Sequence, residues 1–189
     1  KLSILKFNNN LDVKVTGNLL LKYYQCSMVK PVKKKIIILF TLMNTDPLPI
    51  KLSSIIKNNY DYLWYIRFHP STSSSEKSSF IKLHNFCNID YETPNTNFLY
   101  DLLKFVNIHI TFFTSVVIEA SEFNVPSIIL HPLGKEYYKK YINQKQAFYI
   151  NNINLLEQCI KSVLKNKINN KTTNETEDIY HFLKKIISN

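Results

Sequence analysis

"YLWYIRFHP", residues 62–70, is dominated by aromatic residues with Leu63 and Ile66 among them and then stops at a proline. That composition suits a pleated strand, and Pro70, lacking an N–H, ends the ladder. Residues two apart on a strand face the same way, so Arg67 and His69 are expected to project together, with Ile66 and Phe68 on the other side. Arg67 is the only arginine of the chain.

Working outward, "PIKLSSIIKNNY" (49–60) has helical spacing at Leu52, Ile55 and Ile56, with Pro49 near its start. Before it, "KKKIIILFTLM" (33–43) is an unbroken apolar run after lysines, as in a strand buried on both faces. On the other side, "STSSSEKSSF" (71–80) reads as a polar loop, and a short strand is expected near 88–91. "NTNFLYDLLKFV" (95–106) predicts an amphipathic helix burying Phe98, Leu99, Leu102, Leu103 and Val106. "NIHITFFT" (107–114) is a strand, and "SVVIEASEFN" (115–124) a helix that Thr114 or Ser115 would cap.

"VPSIILHP" (125–132) is another strand, "GKEYYKKYINQKQ" (134–146) a helix or lid, "AFYINN" (147–152) a last short strand and "NLLEQCIKSVLKNKI" (154–168) a helix. "VKVTGN" (13–18) reads as a short strand ending at Gly17, and "DIYHFLKKIIS" (178–188) as a final helix beyond a polar connection at 169–178. Strands alternating with helices predict an α/β class, a mostly parallel sheet with helices on both faces in three layers. The expected organisation is a leader or linker at 1–12, one domain at 13–168 and a connection with a helix at 169–189.

With 189 residues, 45% of them hydrophobic, the chain can bury one sizeable core. The longest apolar run, "IIILFTLM", is far short of the roughly 20 residues of a membrane span, which predicts a cytoplasmic protein. Three cysteines (Cys26, Cys87, Cys159), widely spaced, argue against a disulfide framework or a zinc site and for a reducing compartment. His109 and His131 are expected to serve structural roles at strand ends. The net charge of +10 favours anionic partners, and the basic ends would hold the chain to an anionic membrane surface. A lysine- and asparagine-rich genome explains the same lysines. Nucleic acid is not expected as a partner, because the aromatics fall within predicted strands and helices and no zinc-finger or RNP-like pattern occurs.

In parallel sheets ligands bind outside the carboxyl ends of the strands. Four such ends carry chemistry: Thr16-Gly17-Asn18, Thr41, Arg67 to Pro70, and Thr114-Ser115. Arg67 offers a planar fork of donors suited to phosphate, and His69 one more donor. The alternative is an arginine at an edge beside a histidine that closes a strand. Thr114 and Ser115 stand where a strand passes into a helix, a place suited to anions. Glu119, four residues on, shares a helix face with Ser115 and would accept hydrogen bonds from a ribose diol. A capped helix with a solvent-facing glutamate is the alternative there. Isolated aspartates provide no Asp-x-Asp, so neither metal nor cofactor is expected.

The order of these features, glycine loop, apolar strand, helix, strand with His-Pro, helix with "LYDLL", strand and "TSVVIEASEFNVPSIIL", resembles the C-terminal nucleotide-sugar-binding domain of GT-B fold glycosyltransferases. The HP-motif enzymes of bacterial capsule and surface polysaccharide, including sialyltransferase- and polysialyltransferase-like members, are the most similar in flavour. The resemblance spans about residues 13–165 and implies a Rossmann-like domain, half of a GT-B fold. It implies that His69, Thr114 and Ser115 contact the donor phosphate, that Glu119 binds the ribose and that Gly17 lies near the donor. Asn18, Thr41 and Pro70 complete the expected substrate-binding set, and Arg67, on geometry alone, would neutralise leaving-group charge. The family's serine motif is usually "SS" or "TSS"; here Thr114-Ser115 stands in its place.

The expected function is therefore the donor-binding domain of a metal-independent glycosyltransferase of capsule or lipooligosaccharide synthesis. Its partners would be a nucleotide-sugar donor such as a CMP- or UDP-sugar, a glycan acceptor, an N-terminal domain or subunit that does not fit before residue 13, and the inner membrane face. The expected alternatives are half of a UDP-N-acetylglucosamine 2-epimerase-like or glycerophosphotransferase-like enzyme, or a non-catalytic nucleotide-binding remnant.

Overall fold

The computed structural model describes residues 20, 21, 24 and 35–169, with side chains to 165. The expected strand at 13–18, the helix at 178–188 and most of the connection between 169 and 178 lie outside these residues, as do Gly17 and Asn18.

Six strands form one sheet: β1 (Ile36–Thr41), β2 (Tyr62–Arg67), β3 (Ile89–Asp90), β4 (Ile108–Thr111), β5 (Ser127–Ile129) and β6 (Ala147–Tyr149). Their spatial order is β3-β2-β1-β4-β5-β6, and every pair is parallel. The fold is the Rossmann-like α/β arrangement that the alternation of elements predicts.

The helices are α1 (Ile50–Asn58), α2 (Ser74–Leu83), α3 (Thr93–Thr96), α4 (Leu99–Leu103), α5 (Val116–Glu122), α6 (Pro132–Tyr137), α7 (Lys139–Asn143) and α8 (Leu156–Asn169). Alternation along the strands divides their side chains between two cores. Ile38, Phe40, Trp64, Ile66, Ile110 and Ile128 pack with Leu52, Ile55 and Ile56 of α1, Phe80 of α2, and Leu156, Ile160 and Val163 of α8. On the opposite face Leu39 meets Leu103 and Val106 after α4, together with Ala120, Phe123 and Val125. A third cluster joins Val117, Ile129, Tyr138 and Ala147. Among the described residues no helix is long and apolar enough to cross a membrane.

Three local expectations are corrected. Residues 71–80 are not a loop throughout, because α2 begins at Ser74. Ser73 supplies a capping box: its Oγ accepts from the Glu76 amide at 3.3 Å, and its own amide donates to Glu76 Oε2 at 2.8 Å. The helix expected at 95–106 is two shorter ones, because Phe98 takes an extended conformation (φ −61°, ψ 143°) between α3 and α4, where it is 74% exposed and not buried as expected. Leu102, Leu103 and Val106 are buried as expected. The segment 134–146 likewise divides at Tyr138 into α6 and α7.

Gly134 lets α6 seat against the sheet. A Cβ there would meet Ile129 Cγ2 at 2.5 Å and the Phe112 carbonyl oxygen at 3.2 Å. Gly134→Ala is expected to lower stability by about 1–3 kcal/mol, the usual cost of overpacking, read as a fall in the denaturant midpoint. Ser73→Ala is expected to cost about 1 kcal/mol through loss of the cap, with near-native circular dichroism.

Candidate functional site

The strand order reverses direction between β1 and β4, and a cleft of about 480 Å³ opens there at the carboxyl ends of the strands. Thr41, Leu42 and Met43 line it from the end of β1, and Arg67 to Pro70 from the end of β2. Phe113 to Val116 and Glu119 enter from β4 and α5, with Leu99 and Tyr138 closing the sides. Cross-strand pairing aligns the floor: Thr41 stands opposite Arg67 on one neighbour and Thr111 on the other. The structure thus brings Thr41, Arg67, His69, Pro70, Thr114, Ser115 and Glu119 to one cleft.

The contacts of His69 favour one tautomer. Its Nδ1 accepts from the Ser71 amide at 3.2 Å, and the Ser71 hydroxyl lies 2.6 Å from the same nitrogen. A backbone amide can only donate, so the neutral ring carries its proton on Nε2. That Nε2–H makes no hydrogen bond among the described residues, which leaves one donor at the cleft wall. Arg67 shares the less buried side of the strand with His69, while Ile66 and Phe68 are buried.

Arg67 divides its donors. Its Nη1 donates to the carbonyl oxygens of Pro94 and Asn97, the latter at 2.9 Å, and so holds the short helix α3 against β2. Asn95 completes this attachment, donating to the Ile66 carbonyl at 2.8 Å and accepting from the Phe68 amide at 3.0 Å. Among the described residues Arg67 has no carboxylate partner, and burial lowers its pKa. Its Nε and Nη2 donors are uncommitted among those residues.

Thr114 and Ser115 do not cap α5 as expected. Ser115 stands at the N-cap position with helical torsions and makes no side-chain cap bond. Thr114 is 8% exposed, and its hydroxyl lies 2.9 Å from that of Thr41. Neither hydroxyl is therefore consumed by the helix. Glu119 is half-buried and faces the cleft, and its Oε2 is buried with no partner among the described residues. Burial raises the pKa of this carboxyl. Burial first, and then the Glu119 charge, raise that of Tyr138.

His109 is a residue whose role the sequence reading misplaced. It lies inside β4, not at its end, and is fully buried. Its ring bridges Thr41 Oγ1 at 2.8 Å and Ser127 Oγ at 2.9 Å. The available signal was a polar residue inside each of two neighbouring apolar strands, "IHIT" and "SII", which register places side by side. Met43, Phe113, Leu99 and Tyr138 were also missed; the first two follow directly from extending the strand-end rule by two residues.

No protein-family model matches the chain, and no curated protein matches it. Among solved structures, a Listeria monocytogenes protein given the provisional name UDP-N-acetylglucosamine 2-epimerase aligns at a TM-score of 0.51 and 15% identity, over 82% of this chain and 41% of that one. An MnaA–UDP complex from S. aureus aligns at a TM-score of 0.48 and 15% identity, over 86% and 42%. KpsC, a β-Kdo 2,7-transferase from Thermosulfurimonas dismutans, aligns at 0.41 and 17% identity, over 80% and 52%. The Listeria likeness bears on the fold alone and agrees with the Rossmann-like α/β arrangement described above. The chain spans about two fifths of the length of these first two neighbours.

The orphaned Glu119 oxygen generates a pH prediction. A carboxyl whose folded pKa lies above its ordinary 4.5 binds its proton more tightly in the folded state. The Glu119 contribution to stability therefore falls as pH rises from 4.5 through the raised value. Glu119→Gln removes that loss, so its stability relative to wild type is expected to increase from pH 4 to pH 7 in urea titrations. A constant difference would contradict the burial of the carboxylate.

Proposed function

We propose that the cleft binds a nucleotide-activated sugar and that the chain is the donor-binding domain of a metal-independent glycosyltransferase of bacterial surface polysaccharide synthesis, of the HP-motif type. The observation that carries this reading is the single cleft at the strand-order reversal. It gathers free donors of His69 and Arg67, the Ser115 hydroxyl and the Thr114 hydroxyl that bonds to Thr41 with the acceptor oxygen of Glu119. Donors of that kind match phosphate oxygens, and the carboxylate matches the hydroxyls of a ribose.

The leaving group would be a nucleoside phosphate or diphosphate. As the glycosidic bond breaks, negative charge grows on the phosphate oxygen. The His69 Nε2–H, the remaining Arg67 donors and the two hydroxyls would stabilise it as preorganised dipoles, each worth on the order of 2.7–4 kcal/mol in the barrier. Thr41 and Pro70 would shape the floor and the turn beneath the phosphate. Acceptor activation belongs to a second domain or subunit, because this chain spans about two fifths of its first two neighbours. The acceptor is a glycan, and the site of action is the inner membrane face, where a net charge of +10 favours anionic lipid.

The test is thermal shift against CMP, CDP, UDP, GDP and their sugar conjugates, on wild type and His69→Ala. Stabilisation by one nucleotide, lost in His69→Ala, is the expected result. A rise of about 2.7 kcal/mol at a ligand concentration 100-fold above Kd sets the scale. Full retention of the shift in His69→Ala would remove the histidine from the phosphate site, and the absence of any shift would overturn the nucleotide reading for this chain.

A further inference from the structure

Ser127, His109, Thr41 and Thr114 form a continuous hydrogen-bonded line from the interior of the sheet to the cleft. The steps are 2.9 Å from Ser127 Oγ to His109 Nδ1, 2.8 Å from His109 Nε2 to Thr41 Oγ1, and 2.9 Å from Thr41 Oγ1 to Thr114 Oγ1. Ser127 and His109 are fully buried, and Thr41 is 4% exposed. Burial drives the His109 pKa down to about 3, so the ring is neutral at any ordinary pH.

A hydroxyl has one proton to give, and so does a neutral imidazole. The line therefore has two self-consistent directions. In the inward direction Thr114 donates to Thr41, Thr41 to Nε2, and Nδ1–H to Ser127. The Ser127 proton is then left in the core with no acceptor among the described residues, at the usual penalty for an unsatisfied buried donor. In the outward direction Ser127 donates to Nδ1, Nε2–H to Thr41, and Thr41 to Thr114. Every buried proton is then used, and the one left over belongs to Thr114, at the wall of the cleft. Thr111 does not alter this count, because its single proton goes either to the Thr41 carbonyl at 3.1 Å or to Thr114 Oγ1 at 3.3 Å, and in neither bond does it take the proton of Thr114.

We propose that the line runs outward, and that Ser127, His109 and Thr41 act as positioning residues that turn the Thr114 proton toward the cleft. A hydroxyl that presents its proton to the cleft suits an acceptor-only group such as an anionic oxygen. The identity of that oxygen as a phosphate rests on the nucleotide reading above; the direction of the line is a property of the free protein.

The measurement is the tautomer of His109 in the full chain labelled with 15N-histidine, by long-range proton–nitrogen correlation at pH 7, without ligand and with UDP. The expected pattern is a proton on Nε2 and a bare Nδ1, present already without UDP. Ser127→Ala serves both as assignment and as test. With the donor to Nδ1 gone, the preference is released, and a mixture with the Nδ1–H form should appear while thermal melting stays cooperative. An Nδ1–H or doubly protonated ring in the wild type would overturn the outward direction. A pure Nε2–H ring in Ser127→Ala would overturn the assignment of Ser127 as the residue that sets it. If no nucleotide binds, the nucleotide reading falls while the tautomer result stands by itself.

Discussion

Strand β1 is hydrogen-bonded on both edges, to β2 along its whole length from Ile36 to Thr41 and to β4 from Ile38. Parallel pairing fixes register residue by residue, and register fixes where each strand ends. Because Thr41 aligns with both Arg67 and Thr111, three chain segments leave the sheet at one level. The cleft exists because of that alignment. A slip of one residue between β1 and β4 would set their core faces against each other and move Thr41 away from His109 together.

The same pairing explains how a polar line is tolerated inside an apolar sheet. Ile38, Phe40, Ile110 and Ile128 point to one face, and Leu39 to the other. Thr41, His109, Thr111 and Ser127 share the sheet's interior with them, and each finds a partner on an adjacent strand. Such a group is stable only when its hydrogen bonds are complete, which makes the arrangement sensitive to each member.

The strands were legible because each, β3 (Ile89–Asp90) apart, is a largely apolar run bounded by proline or polar residues, and the sheet followed from their alternation with helices. The helix at 74–83 was not, since serines dominate it and only Phe80 is buried; Ser73 and Glu76 at capping-box spacing carried the one usable sign. The break at Phe98 was hidden because an apolar residue at helical spacing looks the same whether its backbone is helical or extended. At the site, strand-end reasoning located the Arg67 to Pro70 and Thr114-Ser115 segments from sequence. It could not show that Arg67 spends one nitrogen on the carbonyls of Pro94 and Asn97, nor that Thr114 bonds to Thr41 rather than to the helix it precedes. Those partners lie 27 to 73 residues away along the chain, and no local pattern announces them.

Helix α8 covers the core face formed by Ile38, Phe40 and Trp64, and Asn59 after α1 donates to Glu157 at its start at 2.9 Å. The strands it covers are made long before it. At ordinary rates of translation the interval is on the order of ten seconds. For that interval the apolar residues of β1 and β2 exist without Leu156, Ile160 and Val163 to cover them, so this face of the core is completed only when the end of the domain has been made.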